Sequence, residues 1–287
     1  MAERLSDIEA RIGSVQQLAA VITAMRGIAA ARSREARGHL TGIRAYARTI
    51  SLAIGSALAF LAEDDPRPLS QAGTDGHAII ALCAEQGFAG VFSERVLDAV
   101  QRLCTGLPGH RTEILLVGDR GLLVAGQRRI TPAWSVPMVA HTGQVASLAG
   151  RVADALYERL EDGAISRVTM VHAVPEPSAA PRIMQKVLVP FDFSRFPLSR
   201  RAVPPLITLP PTVLLARLAE EYVFAELCEA VMLSFAAENE ARMRAMIMAR
   251  GNVSKTLDEL VARSRQLRQA AITDEIMELA GGSAANG

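Results

Sequence analysis

Hydrophobic residues recur at alternating spacings of three and four near both ends of this 287-residue chain. Such spacing lines apolar side chains along one side of a helix, and that side has to be buried against another helix. The N-terminal positions are Leu5, Ile8, Ile12, Val15, Ala19, Ile22, Arg26, Ala29, Ser33, Ala36, Leu40, Ile43, Ala47, Ile50, Ile54, Ala57 and Leu61. The C-terminal positions are Leu215, Leu218, Tyr222, Ala225, Glu229, Met232, Ala236, Asn239, Met243, Met246, Arg250, Val253, Leu257, Leu260, Ser264, Leu267 and Ala271. Two such distant segments can pair only if the chain returns, so we predict two long antiparallel helices.

The middle of the chain alternates short apolar runs with amphipathic segments. This alternation is typical of an open, mostly parallel sheet with helices on its faces. We predict strands at 77–83, 113–117, 133–140, 168–174 and 183–189, helices at 91–104 and 143–161, and a turn at 118–121. The last two strands are close enough in sequence to pair in antiparallel fashion.

These elements predict an α/β protein with a coiled coil, in which a Rossmann-like open-sheet domain is inserted between two long helices. We place the first helix in 1–64, the sheet domain in 75–193, a proline-rich linker in 194–211 and the second helix in 212–287. Thr212 is the expected N-cap of that helix. The glycines at 281 and 282 are expected to end it.

The two helical segments differ in the sign of their net charge. Residues 1–61 contain eight arginines and four acidic residues, whereas residues 212–287 contain eight basic and eleven acidic residues. Opposite charge suits helices that lie side by side. The whole chain has a net charge of +1, which argues against an electrostatic nucleic-acid binder. The arginines between 26 and 48 have one interleaved aromatic residue, Tyr46, so we interpret them as solvated or protein-facing rather than as a nucleic-acid stripe.

Cysteine content and hydropathy indicate the environment of the protein. Cys83, Cys104 and Cys228 have no CxxC spacing and are expected to be small buried residues in a reducing compartment. No signal peptide is evident in the charged first twelve residues. The longest apolar segment, 50–62, is too short to cross a bilayer. We therefore expect a soluble protein that can still attach peripherally to a membrane.

The sequence offers little catalytic chemistry. It contains no P-loop, and its five histidines are scattered without metal-ligand spacing, so we expect neither a cofactor nor a metal. Two glycines, Gly87 and Gly90, follow the first strand and resemble a phosphate-binding turn. The same glycines also suit a tight connection from strand to helix.

Motifs at both ends point to one family. The N-terminal segment has IGSVQ at 12–16, ITAM at 22–25 and IAAA at 28–31. The C-terminal segment has ENEARM at 238–243, an asparagine and leucine at 252 and 257, and RQAAIT at 268–273 followed by EI and a glycine pair. Together they resemble the gamma subunit of F-type ATP synthases over essentially the whole chain.

The resemblance implies a rotor shaft that performs no chemistry itself and couples rotation of a membrane ion-driven ring to catalysis in beta subunits. The implied partners are the alpha and beta subunits of the catalytic head, the epsilon subunit and the ring. The implied location is peripheral, on the cytoplasmic face of a bacterial inner membrane. The residues that the resemblance implies in partner binding are Met25, Arg26, Arg268, Gln269 and Thr273.

Two departures from the family pattern change expected partner contacts. Gln86 stands where the family has an arginine that meets an acidic beta loop. The segment before the second long helix has Thr208 and no acidic residue, where the family has an aromatic–Glu–Pro sequence. These changes suggest a divergent member, from an alternative F-type ATPase that pumps ions beside a housekeeping enzyme.

Two other classes of function stay open at this stage. If the chain is a freestanding coiled-coil scaffold with a degenerate ligand-binding domain, it should be stable alone and should not bind F-type heads. If it is an enzyme that uses the middle domain, with Gly87 and Gly90 at the ligand, residues 75–193 alone should bind a nucleotide. Neither alternative accounts for the RQAAIT motif at 268–273.

Overall fold

The computed structural model describes residues 5–61, 76–106, 111–177, 179–196 and 206–284. The chain forms two compact units. One unit comprises Met1–Ala29 with Met243–Gly287, and the other comprises Ala30–Arg242. Residues 62–75 and 197–205, which include half of the predicted proline-rich linker, lie outside the described residues.

The first unit contains helical segments from both ends of the chain. They belong to helix α1 (Leu5–Leu58) and helix α5 (Pro211–Ala284). Ile8, Ile22 and Ala29 of α1 are buried in this unit, as is Met246 of α5. All four lie at the predicted 3–4 spacing, so the periodic positions form the contact between the helices as expected.

The second unit is built on a five-stranded sheet in the order β3-β2-β1-β4-β5. The strands are β1 (Gly76–Leu82), β2 (Arg111–Val117), β3 (Trp134–Val136), β4 (Arg167–Val174) and β5 (Arg182–Val189). Three of the four neighbouring pairs are parallel and only β4 with β5 is antiparallel, which confirms the predicted topology. Alternate residues of β1 face opposite layers: Ile79 lies in one apolar core and Ile80 in the other.

The two faces of the sheet are covered by different helices. Helices α2 (Phe92–Thr105) and α3 (Asp119–Gln127) contribute to the core that contains Ile79. Helix α4 (Val145–Glu161) and the parts of α1 and α5 within this unit contribute to the core that contains Ile80. Every residue of α5 from 231 to 240 is buried, because this stretch packs against both the sheet and α1.

Polar contacts in the second unit establish how α1 and α5 run. Ser33 and Arg37 contact Glu240, Arg44 pairs with Glu229, and Tyr46 contacts Glu221. Residue numbers therefore fall along α5 as they rise along α1, and the two helices are antiparallel as predicted.

Four boundary predictions were wrong. The turn expected at 118–121 is the start of helix α3. The third strand covers Trp134–Val136 rather than 133–140, because Pro137 lacks the amide hydrogen that would extend the ladder. Helix α5 begins at Pro211 instead of after a Thr212 cap, which suits a proline since the first helical N–H has no acceptor within the helix. It also continues past the glycines at 281 and 282 to Ala284.

Candidate functional site

The carboxyl edge of the sheet is the usual ligand position in this architecture. Ligands of open parallel sheets bind in the crevice where the strand order reverses, which here lies between β1 and β4. That crevice is occupied by α5. Ladder pairing between β1 and β4 stops at Val171, and the amide of Ala173 donates a hydrogen bond to Ser234 Oγ at 3.1 Å. The side chain of Ala237 lies in the core beside Cys83 and Ala84.

The loop after β1 is bound to α5 by a buried ion pair between Glu238 and Arg242. The Glu238 carboxylate accepts hydrogen bonds from the amides of Glu85 and Gln86 at 3.2 and 3.3 Å. Arg242 donates to the carbonyl oxygens of Gly87 and Gln86 at 3.1 and 3.2 Å, and it pairs with Glu238 one turn away. We call these two side chains and the backbone of 85–87 the loop clamp. Its amides donate to a carboxylate of the chain itself, so they are not arranged as a phosphate cradle.

The side chain of Glu85 joins two further backbone segments at the same edge of the sheet. Its Oε2 atom accepts hydrogen bonds from the amides of Met138 at 2.6 Å and Asp119 at 3.2 Å. Asp119 is the first residue of α3, where a carboxylate is favoured by the helix dipole. Gln86, where the resemblance implies an arginine, is exposed.

Sequence reasoning matched ENEARM to a family but did not find this clamp. The available signal was a glutamate and an arginine four residues apart within an apolar helix. Both are almost fully buried, with 3% and 6% of their side chains exposed, and buried charges of this kind need partners.

The paired helices carry the charge complementarity expected from the sequence. Arg44 Nε lies 2.7 Å from Glu229, and the buried Glu240 accepts from Ser33 and Arg37. A hydrogen bond to the Glu221 carboxylate raises the pKa of Tyr46 to about 12. Two of the arginines between 26 and 48, Arg37 and Arg44, thus face acidic residues of α5, in keeping with the protein-facing interpretation.

The five residues implied by the resemblance lie in the first unit, in two groups. Met25 and Arg26 are half-buried on α1. Arg268, Gln269 and Thr273 are exposed on α5. The structure does not bring the groups together, because Arg268 lies 2.9 Å from Glu9. Glu9 is sixteen positions from Met25, about 24 Å along a helix.

Two of the exposed residues already have contacts within the chain. Arg268 forms its ion pair with Glu9 while 63% of its side chain stays exposed. The hydroxyl of Thr273 donates to the carbonyl oxygen of Gln269 at 2.9 Å. An exposed guanidinium of this kind keeps donors free for a second acceptor, since it has five N–H groups.

Large apolar side chains are exposed on both helices of the first unit. On α1 they are Leu18, Val21 and Ile28, and on α5 they are Ile247, Met248, Ile272, Ile276 and Met277. None of them belongs to the apolar 3–4 pattern, and Ile28, Ile272 and Ile276 entered the sequence analysis only as members of the family motifs. Clusters of exposed apolar residues are typical of surfaces that another protein covers.

Other candidate chemistry is limited in the described part of the chain. No group of three or more histidine, cysteine or carboxylate side chains there could hold a metal ion. None of the helices within those residues combines the length and apolarity needed to cross a membrane. All three cysteines are free; Cys83 and Cys228 are buried as expected, whereas Cys104 is only partly buried.

Comparisons with known proteins give one consistent result. A family model described as ATP synthase matches residues 4–285. A relative from Frankia casuarinae named ATP synthase gamma chain is 30% identical, and the alignment covers 99% of this chain and 98% of the relative. One of the same name from Solibacter usitatus is 26% identical, with 98% of each chain covered.

Solved structures show the same fold. A chain of the Euglena gracilis mitochondrial ATP synthase, in a structure with OSCP, F1 and the c-ring, aligns with a TM-score of 0.65 at 13% identity, over 98% of this chain and 94% of that one. A chain of the Tetrahymena thermophila mitochondrial ATP synthase central stalk and c-ring aligns with a TM-score of 0.55 at 16% identity, over 80% of this chain and 99% of that one.

Proposed function

This chain belongs to the ATP synthase gamma chain family, and on that premise we propose that it is the central rotor shaft of an F-type ATP synthase or ATPase. The observation that carries the proposal is the extent of the family match, which runs from residue 4 to residue 285. The match therefore includes both long helices and the inserted sheet. A scaffold protein with a coincidental coiled coil would not need all three parts.

The polar contacts of the second unit suit a part that transmits torque. Ion pairs from α1 to Glu229 and Glu240 resist sliding of one helix along the other. The loop clamp joins α5 to the sheet through buried charged hydrogen bonds, which are about twice as strong as neutral ones. Rotation applied to the sheet is thereby passed to the helices.

We assign partner contacts to the residues implied by the family. Met25 and Arg26 face an acidic loop of a beta subunit in this proposal. Arg268 and Gln269, with Thr273 one turn on, hydrogen-bond to a second beta loop, and that contact breaks at each rotation step. The exposure of the last three residues supports this assignment.

The partners that follow from the proposal are the alpha and beta subunits of the catalytic head, the epsilon subunit and the membrane ring. The complex would hold this chain peripherally at the cytoplasmic face of a bacterial inner membrane. The Euglena structure, which contains F1 and the c-ring, supports this set of partners.

Gln86 and Thr208 favour a specialised complex. Gln86 is exposed and uncharged at the position of the family's arginine, so its contact with an acidic beta loop would be weaker. We propose that the chain serves an alternative, ion-pumping F-type ATPase. A host genome with a single gamma gene would contradict this refinement without affecting the shaft function.

Purification of the tagged chain from its own cells tests the function. We expect it to bring down three alpha and three beta subunits with ATPase activity. Recovery of a lone monomer or homodimer would instead favour the scaffold alternative.

Arg268 needs a control, because it also pairs with Glu9 within the chain. We compare Arg268→Ala with Glu9→Gln, which removes the same internal ion pair but leaves the guanidinium available. If Arg268 binds a partner subunit, we expect slower or uncoupled ATP hydrolysis in Arg268→Ala and near-normal activity in Glu9→Gln. Equal losses of ATP hydrolysis in both variants would mean that Arg268 acts only through its ion pair between the helices.

A further inference from the structure

Three arginines line an open cleft between α2 and the start of β5. Arg95 and Arg102 lie on α2, and Arg182 begins β5; the cleft has a volume of about 440 Å³ and also contains Asp98 and Ile183. We call it the arginine cleft. It is distinct from the loop clamp and from the residues assigned above to partner contacts.

The cations in this cleft outnumber the acids that neutralise them. Asp98 is engaged by Arg128 at 2.5 Å, and Arg182 is paired with Glu176 at 2.7 Å. Among the residues that the structure describes, neither Arg95 nor Arg102 has an ion pair or a side-chain hydrogen bond. Arg95 is nevertheless partly buried, which weakens its solvation. The cleft therefore holds two positive charges that an external anion can neutralise.

The two arginines without ion pairs are far enough apart to bind separate acidic groups. The Cα atoms of Arg95 and Arg102, seven positions apart on α2, are separated by about 10 Å along the helix axis. Asp98 lies between them in sequence and is already paired with Arg128. Two carboxylates separated by a neutral stretch fit this pattern.

The lining also includes apolar surface from Ala180 and Ile183. Side chains between two carboxylates of a peptide can pack there, and guanidinium groups bind carboxylates through two parallel hydrogen bonds. We propose that the arginine cleft docks an acidic segment of a neighbouring protein in the assembled complex, with one carboxylate near Arg95 and another near Arg102. The existence of that complex rests on the proposed function.

The lysine content of the chain allows a clean test. Lys186 and Lys255 are its only lysines, so few carbodiimide links can form through the side-chain amines of this chain itself. Arg95→Lys and Arg102→Lys keep the positive charge and add a reactive amine. Arg151→Lys is the matched control, since Arg151 is an exposed residue of α4 outside the cleft. The purified complex is treated with carbodiimide and its cross-linked peptides are identified by mass spectrometry.

We expect the two cleft variants, but not the control, to link to aspartate or glutamate of another subunit. The yield should fall severalfold between 0.1 and 1 M salt, as the Debye length shortens from about 10 to 3 Å. Links confined to Asp98 or Glu176 of the same chain, or equal yields in the control, would overturn the proposal. So would coupling to a phosphate group, which would identify a nucleotide or lipid instead.

A charge reversal completes the test. Arg95→Glu combined with Arg102→Glu should release the linked subunit at lower salt than the wild type, whereas Arg151→Glu should not. If the subunits co-purify but this difference is absent, the cleft assignment fails alone. If no other subunit co-purifies with the wild-type chain, the proposed function and the cleft assignment fail together.

Discussion

The Nε atom of Arg242 donates a hydrogen bond to the carbonyl oxygen of Gly87 at 3.1 Å, across 155 positions of the chain. Gly87 belongs to the loop after β1, and Arg242 lies on α5. The contact closes the crevice in which an open sheet of this type usually binds its ligand. The crevice has thus become a joint between the sheet and the helix, which suits a mechanical part better than an enzyme.

Removal of Arg242 should be costly for the second unit. Arg242→Ala leaves the buried Glu238 carboxylate without its cation, a change worth about 3–5 kcal/mol. We expect a lower urea midpoint and faster hydrogen exchange at the amides of Glu85 and Gln86. Arg217→Ala removes an exposed pair with Glu220 and should cost less than about 1 kcal/mol. Comparable losses in the two variants would mean that the clamp contributes little.

Helix α3 offers a matched pair of glycines. A Cβ atom at Gly121 would lie 2.1 Å from the Cβ of Cys83, whereas one at Gly126 meets nothing within 4 Å. Gly121→Ala should therefore destabilise the protein by about 1–3 kcal/mol through overpacking. Gly126→Ala should stabilise it by about 0.5–1 kcal/mol, because alanine is the better helix former.

Thermal unfolding of both glycine variants measures this difference. Adding Cys83→Ala to Gly121→Ala should not restore stability, since the closest contact is with the Cβ that alanine retains. Recovery in the double variant would show that the thiol, rather than the backbone approach, limits the space.

Gly121 also helps to explain why the sequence analysis predicted a turn at the start of α3. Residues 118–121 read as a turn because Gly118 and Gly121 flank a charged pair. Gly118 does adopt a positive φ of 108°, and a Cβ there would lie 2.7 Å from the carbonyl oxygens of Cys83 and Ala84. Gly121 has a different role, which is to let the helix approach β1. Local sequence cannot distinguish a glycine needed for conformation from one needed for packing.

The strands and paired helices were predictable because burial imposes a period. β1 was expected at 77–83 and lies at Gly76–Leu82, and its residues alternate between two cores. The loop clamp and the arginine cleft were not predictable, since each joins residues from distant segments. Nothing local to Glu238 indicates that its partners are the amides of Glu85 and Gln86.

The groove between α5 and the antiparallel strands contains a second buried ion pair. Lys186 of β5 pairs with Glu226 of α5, whose side chain is 7% exposed. Lys186→Met should cost about 2–4 kcal/mol by leaving that carboxylate unpaired, whereas Lys186→Met with Glu226→Leu should return to within about 1 kcal/mol of wild type. A double-mutant cycle in urea measures the coupling. Additive losses would contradict a direct interaction.

His172 of β4 lines this groove and should make stability depend on pH. Burial lowers the pKa of His172 from 6.5 to about 4. The positive charge of the neighbouring Lys186 also lowers this pKa, whereas the negative charge of Glu226 opposes the shift. Arg182 and Glu229 also line the groove. The unfolded chain therefore binds a proton below pH 6.5 that the folded protein accepts only near pH 4.

Stability contributed by neutral His172 is thus complete above pH 6.5 and is lost as the pH falls toward 4, by up to about 3 kcal/mol. His172→Gln should remove that part of the dependence while leaving the contribution of carboxylates. Urea unfolding of both proteins at pH 7, 5.5 and 4.5 measures the difference, which should shrink steadily on acidification. A difference that stays constant with pH would mean that His172 titrates normally, and that the groove is open enough for water to solvate the imidazolium.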